Sequence, residues 1–197
     1  MGISKYDFYA NFLCLGERVK GGIYRPCAKT IPYSQLKGAL KWQFGVELHA
    51  VGVIDGCEVN HLTIAPKDRL NDGVRLPIKV MFLEEVKGKV FVVDGDKVLP
   101  NDKEFYINMG GLRSRGFGLC RLKREDMDDK EMVIEKGWLR TRIPKNIISI
   151  FEVKVIKPRY GYLFESINVE TGKYILSYFE GSEVKGPKFL IEGGEES

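Results

Sequence analysis

Histidine occurs only twice in the 197 residues, at positions 49 and 61, and the four cysteines (14, 27, 57 and 120) stand far apart without a CxxC pair. This is too sparse a set at the wrong spacing for a structural zinc site, so no metal and no cofactor is expected, and the cysteines read as reduced, core-type thiols. No apolar run approaches the roughly 20 residues of a membrane helix. The opening MGISKYDFYANFLCLGERVK is broken by Asp7 and Asn11 where a signal peptide would be uniformly apolar, so a cytoplasmic protein with no membrane partner is expected. Net charge is also scarce: 31 Lys plus Arg against 27 Asp plus Glu leave +4, which does not by itself imply nucleic acid. No Gly-Lys-Ser/Thr ends a phosphate loop, and the GxGxxG dinucleotide spacing is absent.

What is present is a foldable chain, 44% hydrophobic and 11% aromatic, long enough for one large domain or two small ones. Residues 5 to 15 alternate, with Tyr6, Phe8, Ala10, Phe12 and Cys14 on one face, the pattern of a half-buried strand. A glycine-marked loop runs to Ile31-Pro32. The spacing of Leu36, Leu40 and Phe44 then predicts a helix, with Ser34 as N-cap, Lys37 and Lys41 on another face and Gly45 as its stop. Strands are predicted at 46 to 54, and at 76 to 86 and 89 to 93 around a Lys87-Gly88 turn. Residues 55 to 75 read as an insertion with one short strand from Val59 to Ile64. A short helix at 101 to 109, a glycine-rich loop from Gly110 to Gly118 and a strand from Leu119 to Lys123 complete a β, α, β, β, α, β order, an α+β ferredoxin-like (RRM-like) domain over residues 1 to 125. Trp42 and Trp138 are expected in the packing.

The acids Glu125, Asp126, Asp128, Asp129 and Glu131 lack an EF-hand spacing and read as a solvated connector. Beyond them, residues 126 to 197 read as a smaller β-rich extension. Its strands are expected at 131 to 135, 138 to 143, 147 to 156, 160 to 165 and 173 to 180, with a last turn at Asn168, Thr171 and Gly172 and a frayed Gly/Glu-rich tail.

Two segments carry chemistry. From Arg113 to Arg124 there are five basic residues and no acids. Within this stretch and just before it, Gly110, Gly111, Gly116 and Gly118 permit positive φ and close backbone approach, while Arg113 and Arg115 supply forked donors for phosphate beside Ser114 and Phe117. The second is IPYSQLKGAL, a helix start whose unpaired N–H groups and dipole suit an anion at Ser34, with Lys37 and Lys41 nearby. A glycine inside a helix costs about 1 kcal/mol relative to alanine, so Gly38 points to a close approach.

Together IPYSQLKGAL and GGLRSRGFG resemble the RAMP (repeat-associated mysterious protein) superfamily of CRISPR–Cas systems, which pairs such an opening of the first helix with such a loop before the last strand of a ferredoxin-like domain. The resemblance implies a noncatalytic subunit of a multisubunit effector complex that binds CRISPR guide RNA and other CRISPR-associated subunits. The implied RNA contacts are Gly110, Gly111, Arg113 to Gly118, Ser34, Lys37 and Lys41. Tyr24 and Arg25, in the glycine-flanked loop before the helix, are weaker additions, and Phe117 is a ring for base stacking. The target-cleaving members use an aspartate between the first strand and first helix, where Gly16 to Tyr33 holds only Glu17 as a carboxylate. Two alternatives stay open: a metal-independent endoribonuclease of precursor guide RNA using His49 or His61 in acid–base catalysis, and a scaffold that contacts only protein.

Overall fold

The computed structural model describes residues 2–17, 23–65, 73, 76–100, 104–126, 133–168 and 170–196. Gly21 and Gly22, most of the 66–75 segment, residues 101–103 of the expected second helix, and Asp128, Asp129 and Glu131 lie outside them.

Strand β1 (Ile3–Leu13) follows the expected alternation as far as Ala10, with Tyr6, Phe8 and Ala10 buried, but Phe12, expected on the same face, is exposed while Leu13 is buried in its place. After the two-residue β2 (Tyr24–Arg25), helix α1 (Tyr33–Phe44) starts directly behind Pro32, which occupies the N-cap position. Proline's fixed φ suits a helix entrance, but it offers no side-chain cap; Ser34 is therefore inside the first turn, not the cap expected. Leu36 and Leu40 are fully buried, and Phe44 packs edge-on to Phe105 at 5.3 Å. Gly45 at φ 72 closes the helix, its N–H donating to Lys41 O at 2.8 Å.

Two long strands, β3 (Ala50–Ile64) and β4 (Ile78–Val93), replace the expected shorter pieces and pair antiparallel along their whole length. Lys87-Gly88 is not a turn. Gly88 lies mid-strand opposite Ile54, where the backbones approach so closely that a Cβ would collide with the Val53 carbonyl. The expected helix at 101 to 109 is instead strand β5 (Glu104–Asn108), with Phe105 and Ile107 inward and Glu104, Tyr106 and Asn108 outward. Strand β6 (Leu119–Glu125) runs between β1 and β5. The antiparallel order β3–β4–β1–β6 is that of a ferredoxin-like sheet, with β5 as an added edge; among the described residues the second helix is missing. The fold is α+β.

Both strands at the centre reverse phase once. In β1 the helix-facing residues pass from Ala10 to Leu13, and in β4 from Leu83 to Val86, where Glu85 takes φ 48. The reversal turns Phe12 and Phe82 onto the face opposite α1, their rings 6.0 Å apart.

The C-terminal part comprises β7 (Val133–Leu139), β8 (Ile143–Pro144), β9 (Lys154–Lys157), β10 (Tyr160–Ser166), β11 (Gly172–Tyr178), β12 (Glu183–Pro187) and β13 (Ile191–Glu196). They form one sheet of order β10–β11–β8 and another of order β13–β7–β12–β9. The apolar 147–156 stretch is a 3-10 turn (Ile148–Phe151) leading into β9, and Asn168 caps the β10–β11 turn, accepting from Thr171 N at 2.7 Å, with two further strands behind it. The tail is not frayed through Glu196: β13 pairs with β7. Trp42 and Trp138 are exposed rather than packed.

The central sheet is shared by two cores. Val86, Val90 and Val92 of β4 face α1, while Val51, Val53, Phe91 and Val93 face the other way and pack with Ile143, Ile148, Phe151 and Leu190 of the C-terminal part. Period-two alternation thus makes β3 and β4 the wall between both cores.

Candidate nucleic-acid interface

The end of β1 is the hub of the candidate site. Phe12 O accepts from Gly118 N at 2.8 Å and Cys14 O accepts from Gly111 N at 2.8 Å, so the glycine-rich loop is pinned at both ends to one strand. Leu15 N donates to Cys27 Sγ at 3.0 Å and Leu15 O accepts from Ala28 N at 2.7 Å, tying the segment before α1 to the same strand. Leu112, Gly116 and Gly118 all adopt positive φ around the 3-10 turn Arg113–Arg115. At Gly118 any Cβ would meet the Met109 carbonyl, so the loop's path itself demands glycine there. The result is a rigid bracket that holds Arg113, Ser114 and Arg115 in solvent. Neither arginine forms an ion pair among the described residues. Phe117 turns back and completes an aromatic cluster, 5.6 Å from Phe12 and 5.1 Å from Phe82.

Tyr24 and Arg25 sit on β2, which pairs with Lys79 and Val80 at the same end of the sheet. Tyr24 is exposed, its hydroxyl 3.3 Å from Met81 Sδ and 3.5 Å from His61 Nε2.

Ser34 borders a cleft of about 300 Å³ with Gly16, Gln35, Arg142, Tyr162 and Tyr174. Gly16 is two residues from the Cys14 carbonyl that anchors the glycine-rich loop, so the helix start and the loop are joined through the end of β1. Gln35 Oε1 is buried with no hydrogen-bond partner among the described residues. Arg142 donates to Glu180 through Nε and Nη2, both at 2.7 Å, meets Glu17 at 2.8 Å, and covers the Phe179 ring at 4.4 Å.

Lys37 and Lys41 lie in a different setting. Lys37 Nζ is 2.9 Å from Glu165 and 3.3 Å from Glu47, and Lys41 pairs with Glu47 at 2.5 Å. Burial works against the Lys37 charge, but Glu165 and Glu47 outweigh it and raise its pKa. Gly38 has open space where its Cβ would be, so nothing among the described residues explains it.

The histidines are separated by twelve residues of extended strand, on the order of 35 Å. His49 Nδ1 is 2.6 Å from the Tyr33 hydroxyl. Burial, then the Lys37 charge, lowers the His49 pKa, while burial pushes Tyr33 up to about 12. Among the described residues no three His, Cys, Asp or Glu side chains gather as a metal site, and no helix is long and apolar enough to cross a membrane.

Sequence reasoning missed Gln35, Arg142, Tyr162 and Tyr174. The last three belong to the C-terminal part, and only the fold brings them to the helix start; the alternation of YGYLFES was the one available signal.

No family model and no curated protein matches the sequence. Solved structures do match. A chain of Type III-B Cmr-beta bound to cognate target RNA and AMPPnP superposes with a TM-score of 0.59 at 10% identity, covering 93% of this chain and 85% of that one. A chain of Cmr-beta bound to cognate target RNA gives 0.60 at 12%, covering 92% and 86%. A chain of a CRISPR RNA-guided surveillance complex gives 0.52 at 14%, covering 98% and 94%. The α+β architecture built here from β1, α1 and the central sheet is therefore a fold shared with chains of Type III-B Cmr-beta and of a CRISPR RNA-guided surveillance complex.

Proposed function

We propose that this protein is a noncatalytic subunit of a CRISPR effector complex that binds guide RNA, with residues 1–125 as its RNA-gripping unit and 126–197 as an extension that completes the site. The observation that carries this reading is the gathering of the glycine-rich loop, β2 and the start of α1 at one end of β1, with Arg113 and Arg115 held out in solvent without an ion pair among the described residues. Phosphates are bound by the two guanidiniums and by loop N–H groups, a contact of charge and shape that carries no base sequence. The cleft beside Ser34 adds a place for a ribose. Lys37 and Lys41 contribute less, because carboxylates already hold them.

The test is recovery of the protein with its partners from the native host, followed by sequencing of the bound RNA. Enrichment of CRISPR repeat-derived RNA, lost on Arg113→Ala/Arg115→Ala, supports the reading. Partner subunits recovered with no RNA crosslinked to this chain would instead make it a protein-only scaffold. Cleavage of labelled repeat RNA by the purified chain in EDTA would make it an endoribonuclease.

A further inference from the structure

The C-terminal part covers the second face of the central sheet over β3, β4 and Ile3 at the start of β1, leaving Tyr9 of β1 half-buried and the outward residues Leu119, Arg121 and Lys123 of β6 and Glu104, Tyr106 and Asn108 of β5 in solvent. On this open face four side chains fall in one row across the strands. Tyr9 is opposite Lys87 on one side and Arg121 on the other, and Arg121 is opposite Tyr106. Arg121 Cζ lies 5.5 Å from the centre of the Tyr9 ring, and Tyr106 is 49% exposed. With strands about 4.8 Å apart, the two rings are roughly 10 Å from each other with a guanidinium between them.

We propose that this row is a stacking platform for single-stranded RNA: one base on Tyr9, one on Tyr106, and the intervening phosphate on Arg121. It rests on the RNA-binding reading above and extends the strand's path. Strand β6 leaves the glycine-rich loop at Leu119, so RNA held by Arg113 and Arg115 passes the Phe12, Phe82 and Phe117 cluster before reaching the row. Rings alternating with cations fit a chain of bases joined by phosphates. A protein partner would call for a continuous apolar centre, which this face lacks between Tyr9 and Tyr106. Lys87 and Lys123 are exposed on the same face without an ion pair among the described residues. Three acids share the face: Asp7 and Glu125 are held by Lys89 and Lys5, and Glu104 accepts from the Tyr106 hydroxyl at 2.7 Å and sits 3.9 Å from Arg121, fixing both side chains.

The test uses fluorescence anisotropy of a labelled twelve-nucleotide adenosine RNA, with a duplex RNA of equal length as control. The wild type binds the single strand more tightly than the duplex. Tyr9→Ala/Tyr106→Ala lowers single-strand affinity at least about tenfold with an unchanged salt slope, while Tyr9→Phe/Tyr106→Phe stays within about twofold. Tyr106→Ala alone, at the more exposed position, gives a weaker loss of the same kind and serves if Tyr9→Ala impairs folding. A folded alanine pair that binds as tightly as wild type overturns the platform, and Arg113→Ala/Arg115→Ala measured alongside shows whether the loop reading survives. A wild type that does not bind the adenosine strand at 50 mM salt also overturns it, leaving guide binding to the copurification. Loss of a partner subunit at unchanged RNA affinity reassigns the face to protein and overturns it too.

Discussion

Arg113 and Arg115 stand in solvent on a loop braced by backbone hydrogen bonds, whereas Lys37 is held between Glu47 and Glu165 and Lys41 shares Glu47. These two basic sites look equivalent as strings of residues and differ in what their charge is free to do. The arginines' position is fixed by their backbone, so their heads are available to a ligand. The Lys37 head is itself the fixture, joining α1 to β10 through Glu165. A cation already neutralised by the fold is a poor phosphate ligand, because binding an anion first requires losing a partner.

The sharpest way to break this contrast is to remove each charge and measure both binding and stability. Arg113→Ala/Arg115→Ala should lower RNA affinity about a hundredfold at low salt, as expected for two charge-assisted contacts, and reduce the salt slope by about 1.4. Its urea midpoint should be that of wild type. Lys37→Glu should do the reverse, destabilising the fold by about 2 kcal/mol in urea unfolding because a third carboxylate meets two others at a partly buried position. An RNA defect in Lys37→Glu at unchanged stability would make the two sites equivalent after all.

A smaller effect concerns acid. Lys89 pairs with Glu125 and Asp7, and Lys5 with Glu125, on the open face of the sheet. The hydrogen bond from Lys89 is the main cause that brings Glu125 from its ordinary 4.5 down to about 2. A depressed folded pKa means that the unfolded chain binds the proton first. This stability is complete above about 4.5 and is lost as pH falls toward 2. With 31% of the Glu125 side chain exposed, solvent screening keeps the contribution under about 1 kcal/mol. Glu125→Gln should therefore show a shallower loss of stability between pH 5 and 3 than wild type in urea unfolding. The smallest change is Gly38→Ala, which has room for its methyl and should stabilise α1 by up to about 1 kcal/mol in thermal unfolding. If Gly38→Ala also weakens RNA binding, something outside this chain approaches the helix there, and the contrast between the two basic sites narrows.

Much of this arrangement is legible in the sequence where a single period governs a segment. The alternation of β1, the Leu36 and Leu40 stripe, and the loop followed by β6 all have local causes. Segments whose form depends on remote partners are less readable. Glu104–Asn108 alternates correctly for a strand, yet five residues between loops do not reveal that β6 offers an edge to pair with. Lys87-Gly88 carries turn residues, but its glycine answers the close approach of β3. In the C-terminal part, Ile147, Ile148 and Phe151 are apolar because they cap the second face of the central sheet, so their spacing follows that surface rather than a strand. The same remoteness hides Arg142, Tyr162 and Tyr174 from any reading of the helix start, and it hides Glu165 from any estimate of how free Lys37 is.

The shared phase reversal at the middle of β1 and β4 has a consequence for register. In an evenly alternating ladder, a slip of two residues returns every side chain to its own face, so alternation alone does not distinguish the native pairing from its neighbours. Here the two reversals must coincide, since Ala10 pairs with Val86 and Leu13 with Leu83 on either side of them. A two-residue slip would set the kink of one strand against the regular stretch of the other, forcing Phe12 or Phe82 into the helix-side core and drawing Leu13 or Leu83 out of it. The kink acts as a notch that admits a single alignment of the central pair, and every strand laid on that pair inherits its position from it.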